Sequence, residues 1–170
     1  ANVKSSEWAN PLEYVIQHSR GNPTSWIAAS DTVARIGGCA KHIFVQDYIM
    51  ELSLAAQGSA GVWPGPTFVY PTEDETRVSA HKAQILHDLN KALAEAFRRK
   101  PKEMNKYGLQ AAKRATGRAW HFARREKGVN RALLIKSLVW FAGVRVGLIK
   151  FSPKLFEATT EVFRNQTVIR

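Results

Sequence analysis

Apolar positions return every three or four residues along most of this chain, which predicts helices rather than strands. Asn10-Pro11-Leu12-Glu13 supplies an N-cap, a proline at the first helical position and a glutamate placed to close a capping box. Leu12, Val15 and Ile16 then form one apolar stripe, and Gly21-Asn22-Pro23 ends the helix. A second helix is expected over 25–36, capped by Thr24 and broken at Gly37-Gly38. A third is expected over 40–57, where Phe44/Val45, Tyr48/Ile49, Leu52 and Ala55/Ala56 recur before Gly58. The most regular amphipathic pattern runs over 79–99, with Ile85/Leu86, Leu89, Ala92/Leu93 and Ala96/Phe97 on one face, and Pro101 stops it. The stretch 129–146 is apolar nearly all round, so it is expected at the centre of the fold. Ser152-Pro153 introduces a last short amphipathic segment over 154–164.

Residues 58–72 differ. Gly58, Gly61, Pro64, Gly65, Pro66 and Pro71 exclude a helix, and Thr67-Phe68-Val69-Tyr70 suits a short strand. Glu73-Asp74-Glu75 reads as a solvated acidic turn rather than a metal site. The expected fold class is therefore all-α: a four-helix bundle with a short strand and loop element at one end, built as a single domain over 1–170. Cys39, the one cysteine, makes no internal disulfide and reads as a buried small apolar residue. Ala1–Ser6 is polar with no apolar run behind it, and Lys136 and Arg145 interrupt the most apolar stretch, leaving an uncharged run of eight residues. A membrane span needs about 20. A soluble intracellular chain with no membrane partner is the expectation.

Charge changes this picture. Residues 98–136 hold thirteen Lys/Arg and only two acids, Glu103 and Glu126, which accounts for the whole net charge of +11. The remaining residues balance at twelve basic and twelve acidic groups. Such concentration opposes compaction by self-repulsion and calls for a polyanion. Nucleic acid is the first candidate, because phosphate neutralisation supplies most sequence-independent affinity. Tyr107, Leu109, Trp120 and Phe122 interleave with the cations, and Gly108, Gly117 and Gly128 interrupt them. The segment is thus expected to be partly helical and mobile when empty. Trp120 suits either a core position or a base-stacking one. No base-reading motif is present, so binding is expected mainly to the backbone.

Catalysis has little to stand on. There is no phosphate-cradling glycine loop, no HExxH, and no cofactor signature. The five histidines are scattered, and His87 and Asp88, as helix neighbours, are expected to diverge by about 100° and make a poor dyad.

Four stretches share an order with a known family. Ser5-Ser6-Glu7-Trp8-Ala9-Asn10-Pro11-Leu12-Glu13 resembles the start of the first bundle helix in coat proteins of rod-shaped plant viruses of the tobacco mosaic virus type. Val62-Trp63-Pro64-Gly65-Pro66-Thr67-Phe68-Val69-Tyr70-Pro71 is similar to that family's Val-Trp, proline, strand and Phe-Pro segment. The stretch from Ile85 to Phe97 resembles its third helix, and Arg124-Arg125, the apolar helix, Gly147 and Phe156-Glu157 resemble its fourth helix and exit. The resemblance implies a four-helix coat subunit whose third-to-fourth helix connection lines a groove for single-stranded RNA. The family's arginines past the third helix fall at Lys100 and Lys102, and its arginine pair before the fourth falls at Arg124 and Arg125. Its pocket-closing acid falls near Lys127-Gly128, and an interface carboxylate of its third helix falls at His87, so those acids are replaced. Coats of that family are commonly acidic overall, whereas this chain is strongly basic.

The expected function is a structural, non-enzymatic capsid subunit that assembles helically on single-stranded RNA. Arg98, Arg99, Lys100, Lys102, Arg124, Arg125, Lys127 and Arg131 neutralise phosphates, and apolar helix ridges join copies. No metal or cofactor is called for. The implied location is the virion, and the host cytoplasm during assembly. Two other classes compete. A non-viral sequence-independent nucleic-acid-binding protein, nucleoid- or ribosome-associated, fits the basic stretch equally and differs in assembly. A nucleic-acid enzyme would need Glu73-Asp74-Glu75 as its metal site.

Overall fold

A computed structural model describes residues 6–8, 10–18, 27–40, 43, 45–58, 60–62 and 81–167, and the structural statements below concern these residues. The fold is all-α apart from one short strand pair. The elements are β1 (Ser6–Trp8), α1 (Pro11–His18), α2 (Ser30–Arg35), α3 (Gln46–Ala55), β2 (Ala60–Val62), α4 (Lys82–Arg99), α5 (Pro101–Met104), α6 (Gly108–Ala123), α7 (Arg131–Arg145) and α8 (Pro153–Thr160). Single 3-10 turns, Asn105–Tyr107 and Arg164–Gln166, join α5 to α6 and follow α8.

β1 and β2 pair antiparallel, with Ser6 opposite Val62, Glu7 opposite Gly61 and Trp8 opposite Ala60. The stretch around Trp8, which the family resemblance puts at the start of the first helix, is therefore extended, and the helix begins at Pro11, where the Asn10-Pro11 signal places it. A three-residue strand is too short to leave a two-residue period in the sequence. The strand expected at 67–70, the acidic turn at 73–75 and the Thr24 cap lie outside the described residues. Asn10 and Glu13 do meet, the Asn10 amide donating to Glu13 Oε2 at 3.1 Å. Asn10 Oδ1 in turn accepts from the Tyr107 hydroxyl, which ties α1 to the start of α6. Cys39 is exposed, against expectation, with its Sγ 3.4 Å from Met50 Sδ. It follows the Gly37-Gly38 break, where the chain runs over the surface.

The core gathers on α4. Antiparallel α8 packs along it, and Phe97 meets Phe156 at 5.0 Å and Phe151 at 5.9 Å between ring centroids. At the other end Phe122 of α6 meets Phe163 edge-on at 5.0 Å. Between these clusters lies a polar knot. Asn90 is wholly buried; its amide donates to Ala115 O at 3.2 Å and Thr159 Oγ1 at 2.9 Å. Arg118 Nη1 donates to Asn90 Oδ1 at 3.1 Å, so one amide links α4, α6 and α8 with its polar atoms satisfied.

Two helices overturn the sequence reading. The basic segment is helical almost throughout, from Pro101 to Ala123, rather than partly so. What seats it is a ridge of small residues: Gly108, Ala111, Ala112, Ala115, Ala119 and Ala123 are all buried, at helical spacing. Small side chains let the α6 backbone approach its neighbours, where Ala115 O accepts from Asn90 of α4, and their weak hydrophobicity hid the pattern among the lysines. At Gly108 a Cβ would run into the Phe151 ring, so any larger residue there would have to displace that ring.

α7 is peripheral, not central. It is capped cleanly, Asn130 Oδ1 accepting from Leu133 N at 2.8 Å. Yet only Ser137, Gly143 and Val144 of this helix are buried. Ile135 is 62% exposed, Leu138 43%, Val139 53% and, just beyond, Val146 68%. A helix apolar on every side needs a cover on every side; here α6 covers one side and the other is left to solvent.

Candidate nucleic-acid interface

The eight cations named from sequence do not form one cluster. Arg98 and Arg99 end α4, Lys100 and Lys102 surround the Pro101 turn, and Arg124, Arg125, Lys127 and Arg131 lie beyond the far end of α6. The sixteen residues of α6 separate the two groups, about 24 Å at 1.5 Å per residue. Arg98 pairs with Glu157 and, at 3.6 Å, with Glu95; Arg99 Nε reaches Glu95 at 2.8 Å. Hydrogen bonding to Glu157 raises the Arg98 pKa further. Both arginines are exposed, so these pairs are weak and an anion would compete with them. Lys100 is half-buried, and its backbone N–H closes α4 on Ala96 O. Lys102, Arg124, Arg125, Lys127 and Arg131 are exposed.

The structure supplies what lies between the groups. Lys113, Arg114 and His121 occupy the outward side of α6, opposite the alanine ridge, and lead into Arg124 and Arg125. No ion pair among the described residues involves Lys113, Arg114, Arg124, Arg125, Lys127 or Arg131. Arg145 joins this stripe from α7. Its guanidinium lies 3.5 Å from the Phe141 ring centroid, Nη1 donates to Phe141 O at 2.9 Å, and Nη2 donates to Lys113 O at 3.4 Å. It crosses α6 over Gly117, where a Cβ would stand 3.6 Å from Nη2. Partial burial lowers the Arg145 pKa.

His121 reports the field of this stripe. Loss of water around the ring holds its pKa below the ordinary value, and Arg124, Arg125 and Arg145 push it the same way. Three cations, two just past α6 and one at the end of α7, thus act on one imidazole. Arg118 is different: burial lowers its pKa, and the side chain belongs to the polar knot on Asn90 rather than to the surface.

The interleaved aromatics sort themselves. Tyr107 and Phe122 are core, Leu109 is exposed, and Trp120 is half-buried with its ring 6.1 Å from Phe141. A spacing of four and eight from Lys113 through Gly117 to His121 was the signal available for the stripe. Arg145 carried none, because only the packing of α7 on α6 brings it there.

His87 and Asp88 also depart from expectation. His87 Nδ1 and Asp88 Oδ1 are 2.6 Å apart, because side-chain torsions close the angle that the helix opens between neighbours. Asp88 is buried and the same oxygen accepts from Gln84 Nε2 at 3.2 Å, so the contact sits inside the α4 packing. Among the described residues no group of three or more His, Cys, Asp or Glu is placed to hold a metal ion. No helix among them is long and apolar enough to cross a membrane.

The chain matches no protein-family model, no curated protein and no solved structure at a significant level. What the chain does is therefore read from the α6–α7 surface itself.

Proposed function

We propose that this chain is a coat subunit that polymerises on single-stranded RNA and shields it. The observation that carries the reading is the pairing of two unlike stripes on one helical hairpin. The outward side of α6 is cationic, with Lys113, Arg114, Arg124, Arg125 and Arg145. The outward side of α7 is apolar, with Ile135, Leu138, Val139, Ala142 and Val146. Phosphate-directed charge grips any sequence, as a genome coat requires. An uncovered apolar stripe beside it suits contact with a neighbouring copy, and cations on a bound strand lose the mutual repulsion that would keep copies apart. A nucleic-acid-binding module that worked alone would have no use for the α7 stripe, so this surface favours the coat over that alternative.

The resemblance to coats of rod-shaped plant viruses points the same way and adds the four-helix bundle and the virion as the setting. In this reading Lys100, Lys102, Arg98 and Arg99 meet a second part of the strand, or a strand held by a neighbour, at the other end of α6. Contacts between copies that repeat without closing build a helical polymer.

The test is charge reversal. Replacing Arg114, Arg124 and Arg125 with Glu should abolish RNA-dependent filaments in negative-stain electron microscopy and leave the helical circular-dichroism signal intact. Filaments that form on RNA at the wild-type concentration in that variant would reject the assignment.

A further inference from the structure

The Arg145 side chain is built more rigidly than phosphate neutralisation needs. A lysine on a flexible stem would serve a phosphate as a point charge. Here a planar guanidinium is laid on the Phe141 ring at 3.5 Å and tied at both ends, by Phe141 O and Lys113 O. The ring below is itself held, with His121 edge-on at 5.7 Å and Trp120 at 6.1 Å. Arg145 is nonetheless exposed, so the guanidinium face turned away from Phe141 is the one that solvent reaches.

We propose that this guanidinium face is a stacking platform for one unpaired nucleobase, with Lys113 and Arg114 on one side and Arg124 and Arg125 on the other holding the flanking phosphates. This rests on the nucleic-acid reading above and goes beyond it, since that reading asks only for backbone contacts. Guanidinium planes and aromatic rings are the surfaces on which proteins stack the bases of single strands. A base has a π-face whatever its identity, so the platform grips without reading sequence. The Arg145 side chain is already fixed by the ring and the two carbonyls, so little freedom remains to be lost when a base arrives. A duplex keeps its base faces stacked on each other, which makes an unpaired strand the ligand.

The experiment compares two oligonucleotides of equal length on the full chain: an oligo(A) strand and its abasic counterpart, which keeps the phosphates and lacks the bases. Wild-type protein should bind the base-bearing strand about tenfold more tightly than the abasic one. Arg145→Lys keeps the charge and loses the plane. It should lower affinity for the base-bearing strand to that for the abasic one, so that the preference is lost. Equal wild-type affinity for the two strands would overturn the platform, and so would an Arg145→Lys variant that weakens both strands alike. The wild-type comparison decides the question without the variant. If wild type binds neither strand, the nucleic-acid reading fails first; if it binds both equally, that reading stands and the platform alone fails.

Discussion

α6 and α7 form one antiparallel hairpin and reverse what their compositions suggest. α6 is crowded with cations and is seated deep in the fold by alanines; α7 is the most apolar helix and leaves its apolar stripe outside. Burial is decided by which side of a helix can approach its neighbour, not by how apolar the helix is as a whole. α6 has a smooth ridge of small residues that fits into the core, with long cationic side chains reaching solvent elsewhere. α7 has bulky apolar residues all round and, among the described residues, lies chiefly on α6. The first arrangement is complete within one chain. The second is incomplete, and its outward stripe is where a copy would add stabilisation.

The sharpest way to break this contrast is at α7. Ile135→Glu with Val139→Glu should abolish polymer formation, read as loss of fast-sedimenting material, while thermal stability moves by no more than about 0.5 kcal/mol, as for surface positions. A large loss of stability instead would mean that the stripe is covered within the chain. The matching change on α6 should act on the fold. Ala115→Leu is expected to cost about 3 kcal/mol by overpacking against α4, seen as a lower denaturant midpoint, because there is no room for three more carbons at a fully buried site.

A smaller effect is expected away from the hairpin. Burial, and after it the neighbouring Asp47, push the Glu51 carboxyl up to about 7, and its Oε2 is buried with no hydrogen-bond partner among the described residues. A folded-state pKa above the ordinary 4.5 gives stability that is full below pH 4.5 and lost as pH rises through 7. Glu51→Gln should therefore gain about 2 kcal/mol over wild type at pH 8 and almost nothing at pH 4.5, as measured by urea unfolding at both pH values. If the two proteins unfold alike at pH 8, Glu51 is better solvated than its burial implies.

The smallest effect sharpens the α6 side. His121 has a depressed pKa, so the protein loses stability as pH falls below the ordinary histidine range and through the folded value. Phosphates near Arg124 and Arg125 would raise that pKa, so RNA binding should take up a proton and strengthen modestly between pH 7 and pH 5.5. His121→Ala should flatten this dependence in fluorescence titrations. An unchanged pH profile would place the strand elsewhere.

Much of the fold was legible in the chain. The Asn10-Pro11 start, the Pro101 and Ser152-Pro153 breaks and the amphipathic pattern over 79–99 depend on backbone chemistry and local periodicity, and they recur in α1, α5, α8 and α4. The concentration of cations over 98–136 was legible too, because charge adds along a sequence without reference to shape. The alanine ridge was not, since alanine marks no face strongly until a partner presses against it. The Asn90 knot was not, because Ala115, Arg118 and Thr159 are far from Asn90 in the chain and meet it only in space.

The sequence by itself determined that this protein is helical and that its charge is gathered in one stretch. Only the tertiary structure decided that the gathered cations divide between two ends and one side of α6, that Arg145 crosses from α7 to join them, and that the greasiest helix faces outward. Periodicity and charge are properties of neighbours along the chain. Which faces meet depends on the shapes that distant segments offer one another, and that is settled only when they pack.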